Sequence, residues 1–302
     1  MTLSVLLATV GVTVVVIVVV RAASRRGVRR RVRGRLGDPG ASGVVSGAEP
    51  IMLRGDGPMS VLALHGFGDT PQSLAYLAQA LHARGWTVHV PLLPGHGRTI
   101  DEFAESTGGQ WLDGARRELD VLRAHGGRIA IVGQSMGGAL TVLLAAGATD
   151  IDACVLLSPL LSLTSTMRRG ARSWRLVGVI WPYVDSTDER SVRDPVERAR
   201  SRGYGALPVR LLPALVAIVQ RARAMLAQLA SPTLVIQSTD DNRVTVDGTD
   251  SAFRLINAED KRLVWKSGAG HVLSVDVGRD DVIALVGEWI ASHMVAGAMP
   301  RV

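Results

Sequence analysis

The stretch Arg128-Ile129-Ala130-Ile131-Val132-Gly133-Gln134-Ser135-Met136-Gly137-Gly138 constrains the fold of this chain more than any other. A short apolar run ends in a G-x-S-x-G turn, and an Ala/Leu-rich helical pattern follows near 136–147. Strand, sharp turn, helix is the context in which that pentad forms a nucleophile elbow; alone it is a frequent accident. The turn forces Ser135 into a strained backbone conformation, and glycines at 133 and 137 remove side chains that would strike the adjacent strand and helix. The serine hydroxyl is thereby presented at the edge of a sheet.

A serine hydroxyl is a poor nucleophile at neutral pH, so a base must take its proton. Of seven histidines, His271 stands out. It follows the last expected strand in Ser267-Gly268-Ala269-Gly270-His271-Val272, a glycine-rich loop able to bring an imidazole back over the elbow. His65 and His96 belong to other turns, and His82, His89, His125 and His293 sit on or beside helices and strands, where solvated or packing roles are the default. The imidazole needs a carboxylate to fix its tautomer. Strand 232–237 ends in Ser238-Thr239-Asp240-Asp241-Asn242-Arg243-Val244, which offers Asp240 and Asp241, with Asp247 further on. Asp241 is preferred because Asp-x-x-Val returns Val244 to the core. Attack creates an oxyanion that must meet preorganised N–H donors. The N–H of Met136, after the nucleophile, is one, and Phe67 in His65-Gly66-Phe67-Gly68-Asp69-Thr70 is the best candidate for the other.

Beyond residue 50, short apolar runs alternate with longer amphipathic ones, the pattern of a parallel sheet with helices on both faces. Strands are expected at 60–64, 87–91, 128–132, 153–157, 233–237 and 262–265, with helices near 72–84, 110–125, 136–147, 248–257 and 279–293. From about Ser158 to Ala230 no clear buried strand is visible. An interval of that length implies an inserted helical cap over the C-terminal edge of the sheet, 159–230, between core segments 51–158 and 231–302. In it Trp181, Tyr183, Leu211 and Leu215 are candidate walls of an apolar pocket.

The formal charge of +7 is misleading about partners, because it is local. Residues 1–36 carry eight arginines (Arg21, Arg25, Arg26, Arg29, Arg30, Arg31, Arg33, Arg35) and no acid; the other 26 basic residues face 27 acids. The near-neutral body removes the main support for nucleic-acid binding. Thr2 to Val20 is uncharged and rich in Val and Leu, and nineteen residues of helix span roughly 28 Å, close to a bilayer core. A cleaved signal would carry charge ahead of a shorter apolar run, whereas here the arginines follow. Residues 1–20 are therefore expected to be a single transmembrane helix in the cell membrane. Residues 21–50 then form an Arg-rich juxtamembrane segment, in contact with anionic headgroups, and a short flexible linker at 36–50. The positive-inside rule puts the body on the cytoplasmic side. A single cysteine, Cys154, excludes an internal disulfide and reads as buried packing. No Cys/His cluster has zinc spacing and no Gly-rich phosphate loop follows a strand, so no metal, nucleotide or other cofactor is implied.

Taken together, His65-Gly66-Phe67-Gly68, Pro94-Gly95-His96-Gly97, Gly133-Gln134-Ser135-Met136-Gly137-Gly138, Pro232-Thr233-Leu234-Val235-Ile236-Gln237 with Asp241, and Gly270-His271-Val272 resemble the bacterial carboxylesterase and monoacylglycerol lipase branch of the α/β-hydrolases. The resemblance covers about 60–158 and 230–293. It implies an α/β-hydrolase fold with a mostly parallel sheet and a small helical cap. It also implies Ser135, Asp241 and His271 as triad, Phe67 and Met136 as oxyanion donors, an acyl-enzyme, no cofactor, and acyl esters or monoacylglycerols as substrate. The cap matches by position and length more than by motif, and the N-terminal helix is outside the family's usual pattern. Amide hydrolysis and acyl transfer use the same triad, and a non-catalytic hydrophobic-ligand binder would usually lack one of its members.

Overall fold

A computed structural model describes residues 3–295 of the chain. Met1 and Thr2, at the start of the expected span, and 296–302, at the end of the expected core, lie outside the described residues. The element order is α1 (Leu3–Leu36), β1 (Ile51–Leu53), β2 (Met59–Leu64), α2 (Ala75–His82), β3 (Thr87–Val90), α3 (Ile100–Glu105), α4 (Gly108–Ala124), β4 (Arg128–Gln134), α5 (Met136–Ala145), β5 (Ala153–Leu157), α6 (Ser165–Ile180), β6 (Tyr183–Asp185), α7 (Pro195–Arg200), β7 (Ala206–Pro208), α8 (Leu212–Met225), β8 (Thr233–Ser238), α9 (Val246–Phe253), β9 (Lys261–Lys266) and α10 (Arg279–Val295).

Seven strands form one sheet in the order β1-β3-β2-β4-β5-β8-β9. Only β1 runs antiparallel to its neighbour; every other pairing is parallel. Strand alternation divides the core between the two faces. Leu62, Leu64 and Ile131 pack on one side with α4, α5 and α8, and Val61, Ala63, Ala130 and Val132 on the other with α2 and α10. The six expected strands are present to within a residue or two. The structure adds the three-residue edge strand β1, the six-residue helix α3, and the antiparallel pair β6–β7 inside the insert. The insert also packs into the main core. Leu215, Ile218, Val219 and Ala222 form a stripe at helical spacing that buries α8 against the small-residue helix α5, within the main core.

The N-terminal segment differs most from expectation. No linker follows residue 36: Val45 and Ala48 are buried, Pro39 bridges Val45, and the Val45 N–H donates to Gly97 O at 2.8 Å. α1 is one unbroken helix whose halves have different surroundings. The residues from Leu7 to Val20 are uncharged and mostly aliphatic, and none of them is buried. Beyond them Val28, Val32 and Leu36, at i, i+4 and i+8, are buried on the body. Arg25 and Arg29 reach Asp101 at 3.2 and 2.6 Å, and Arg31 reaches Asp185 at 2.6 Å. Partly exposed ion pairs contribute about 0–1 kcal/mol each, against about 1.5–3 for each buried aliphatic side chain. Packing therefore holds this half of the helix, and the ion pairs set its rotation.

Candidate active site

Ser135 stands between β4 and α5 at φ 56°, ψ −116°, one of two non-glycine residues with positive φ among those described. A Cβ at Gly133 would overlap Gly137 O and Thr141 Oγ1, and one at Gly137 would overlap Leu64 O. The elbow is thus wedged between α5 and the end of β2, and only glycine fits on either side. Opposite, the loop after β9 carries His271, whose Nε2 lies 2.9 Å from Ser135 Oγ and whose Nδ1 lies 2.8 Å from Asp241 Oδ2.

Asp241 follows β8 in a turn that its own side chain closes: Oδ1 accepts from the N–H groups of Arg243 (2.7 Å) and Val244 (3.0 Å), and Oδ2 also accepts from Gln237 Nε2 (2.8 Å). Burial alone would raise this carboxyl. The hydrogen bond and charge of His271 and the two backbone donors outweigh burial and hold it below the ordinary carboxylate range. Val244 is buried, as the Asp-x-x-Val spacing requires. Asp240 turns away, accepting from Gly268 N and pairing with Arg193 at 3.3 Å, and Asp247 lies exposed in the first turn of α9.

Gly66 places its backbone against the nucleophile, a Cβ built there lying 3.4 Å from Ser135 Cβ. Among the described residues neither the Phe67 nor the Met136 N–H has a backbone acceptor. His65 holds that loop: its Nε2 accepts from Leu93 N at 3.1 Å, so Nδ1 carries the proton donated to Gly66 O at 2.9 Å. Complete burial lowers this imidazole to about 4 and keeps it neutral. Asp276, after the histidine loop, was not legible in advance. It accepts from Gly270 N (2.6 Å) and from the N–H groups of Arg193 and Asp194 (2.9 and 2.8 Å), tying the His271 loop to the insert.

A cavity of about 810 Å³ opens over Ser135 and His271. Its apolar wall includes Leu160, Met167, Leu207, Leu212 and Leu215, and its polar wall includes Asp69, Glu197 and Arg35. Of the four wall residues expected from sequence, Leu215 lines it and three do not. Leu211 is buried in the core, Trp181 is 54% exposed beyond the end of α6, and the Tyr183 hydroxyl donates to Asp101 Oδ1 at 2.7 Å in a separate crevice. Apolar character alone does not tell which side of a helix faces a cavity. Arg35 is the opposite case: the last turn of α1 delivers an arginine assigned to the membrane surface into the wall of this cavity.

A parallel sheet with a strained serine at a strand–helix turn, and an imidazole and carboxylate in line with it, defines a serine hydrolase of the α/β-hydrolase fold. Residues 58–277 match the model of the serine aminopeptidase S33 family, and the chain belongs to that family. It is 29% identical over 250 residues to a thermostable monoacylglycerol lipase of Bacillus sp. (strain H-257), covering 83% of this chain and 97% of that protein. It is 25% identical over 244 residues to a carboxylesterase of Bacillus subtilis (strain 168), covering 80% and 96%. A solved structure from work on the metagenome-derived lipolytic enzymes LipS and LipT superposes with a TM-score of 0.76 at 27% identity, over 83% of this chain and 100% of that one. α1 precedes the family match.

Proposed function

We propose that this chain is a membrane-tethered carboxylic ester hydrolase that cleaves acyl esters, monoacylglycerols among them, through an acyl-enzyme on Ser135. The carrying observation is the unbroken relay from Ser135 Oγ to His271 Nε2 and from His271 Nδ1 to Asp241 at the floor of a cavity with an apolar wall. Ser135 Oγ attacks the ester carbonyl while His271 takes its proton, and Asp241 steadies the imidazolium. The N–H groups of Phe67 and Met136 receive the oxyanion. The tetrahedral intermediate collapses, and His271 returns the proton to the departing alcohol. Water, deprotonated by His271, then releases the acid and restores Ser135. The insert acts as a cap that lends Met167, Leu212 and Leu215 to the acyl side of the cavity. Ester chemistry is supported by the lipase and carboxylesterase relatives. Ser135→Ala should abolish turnover of p-nitrophenyl butyrate to within background. A wild-type enzyme that hydrolysed a matched anilide faster than the ester would contradict the ester assignment.

The apolar half of α1 is read as a bilayer anchor, with the body on the cytoplasmic side. The support is an unburied run of Val and Leu followed by arginines. Retention in the membrane pellet through carbonate extraction is expected, and release by carbonate would refute the anchor.

A further inference from the structure

A second cavity, about 340 Å³, lies where three elements meet: the start of the arginine half of α1, the C-terminal end of α6, and α3. Arg21 and Arg25 line it from α1, Arg175 from α6 and Arg210 from the turn before α8; Asp101 and Glu105 are its acids. The two carboxylates do not balance the four guanidiniums. Asp101 is already taken by Arg25, Arg29 and the Tyr183 hydroxyl. Arg175 and Arg210 have no hydrogen bond or ion pair among the described residues, Arg175 resting only beside the Trp174 ring at 5.3 Å. Arg25 Nε is buried in the same crevice without a partner.

The crevice also has a fixed height. Arg21 is the first charged residue after the uncharged run, and its guanidinium donates to the carbonyls of Gly178 and Val179, so the end of α6 is clamped level with the end of the apolar helix. Around that point the insert exposes large apolar side chains, Leu176 at 78% and Trp181 at 54%. Arginines beside exposed apolar residues at the foot of an apolar helix match the headgroup layer of a bilayer, where Trp and Arg concentrate.

We propose that this crevice binds the phosphate of an anionic membrane lipid, with Arg175 and Arg210 as its principal donors and the lipid's acyl chains running along the apolar half of α1. The proposal rests on the reading of α1 as an anchor.

The test uses the full chain in nanodiscs of phosphatidylcholine mixed with phosphatidylglycerol, with retained lipid identified by native mass spectrometry. Wild type should retain phosphatidylglycerol over phosphatidylcholine, and Arg175→Gln with Arg210→Gln should lower that preference roughly tenfold. The outward-facing pair Arg26→Gln with Arg30→Gln, exposed to the general headgroup field but outside the crevice, should lower it much less. Both variants should still hydrolyse p-nitrophenyl butyrate at the wild-type rate, which shows that they fold. Equal preference in wild type and the R175Q/R210Q protein would overturn the site, as would equal loss in the R26Q/R30Q protein. Thermal stabilisation of the detergent-solubilised wild type by inorganic phosphate, without any lipid preference, would assign the crevice to free phosphate and overturn the lipid. Failure to enter phosphatidylcholine nanodiscs at all would instead refute the anchor.

Discussion

Ser135 can keep its backbone at φ 56° only because Gly133 and Gly137 let α5 and β2 close on it. Gly137→Ala should therefore cost several kcal/mol or prevent folding, read as a fall in the urea midpoint, because its methyl meets a backbone carbonyl that cannot move aside. Asp241→Asn probes the relay differently. With one fewer negative charge and the wrong imidazole tautomer favoured, kcat should fall roughly 10²–10⁴-fold while KM for a soluble ester changes little. His65 links the site to pH. Its folded value of about 4 lies below the ordinary histidine value of 6.5, so between these the unfolded chain binds the extra proton. Stability should be undiminished above pH 6.5, decline as pH falls toward 4, and lose a few kcal/mol from this group, with buried His96 acting in the same direction. Urea unfolding across that window checks the slope, and a flat profile would mean that His65 is protonated in the folded protein. The elbow, His271 and Asp241 stood out in the sequence because each lies in a turn or loop that closely follows a short apolar run. The roles of His65 and Asp276 did not, since each depends on a backbone amide brought near by the fold.

Among the elements, the parallel strands were readable as short apolar runs bounded by glycine and polar residues. β1, β6 and β7 were not, being three residues long and defined by their partners. The six-residue α3 announces itself only through its capping box, Thr99 with Glu102. In α1 the stripe Val28, Val32, Leu36 was masked by the arginines around it, so a helix that docks read as a charged flank. Its consequence for engineering is direct. Deleting residues 1–20 should release a soluble protein with wild-type activity on p-nitrophenyl butyrate. Deleting 1–36 should lower the melting temperature by several degrees, because it strips three buried aliphatic side chains and removes Arg35 from the cavity wall. Equal melting temperatures for the two truncations would show that the docked half adds no stability.

On the scale of the whole molecule, one rigid helix joins an apolar rod to a catalytic body, so the cavity stands at a set distance and rotation relative to whatever holds the rod. If that is the membrane, with the body on the cytoplasmic side, a thiol on the body is shielded from outside. Cys154 is buried and leaves a clean background, and Asp280 is 92% exposed in its side chain. Asp280→Cys should react with a membrane-impermeant maleimide only after intact cells are opened, and labelling of intact cells would reverse the orientation. Three distant positions, Ser135, Asp241 and His271, converge into one relay. Rapid acid quenching during turnover of p-nitrophenyl butyrate, followed by peptide mass spectrometry, should find a butyryl group on Ser135 and on no other residue. An acyl group on a different side chain, or undiminished turnover by Ser135→Ala, would contradict it.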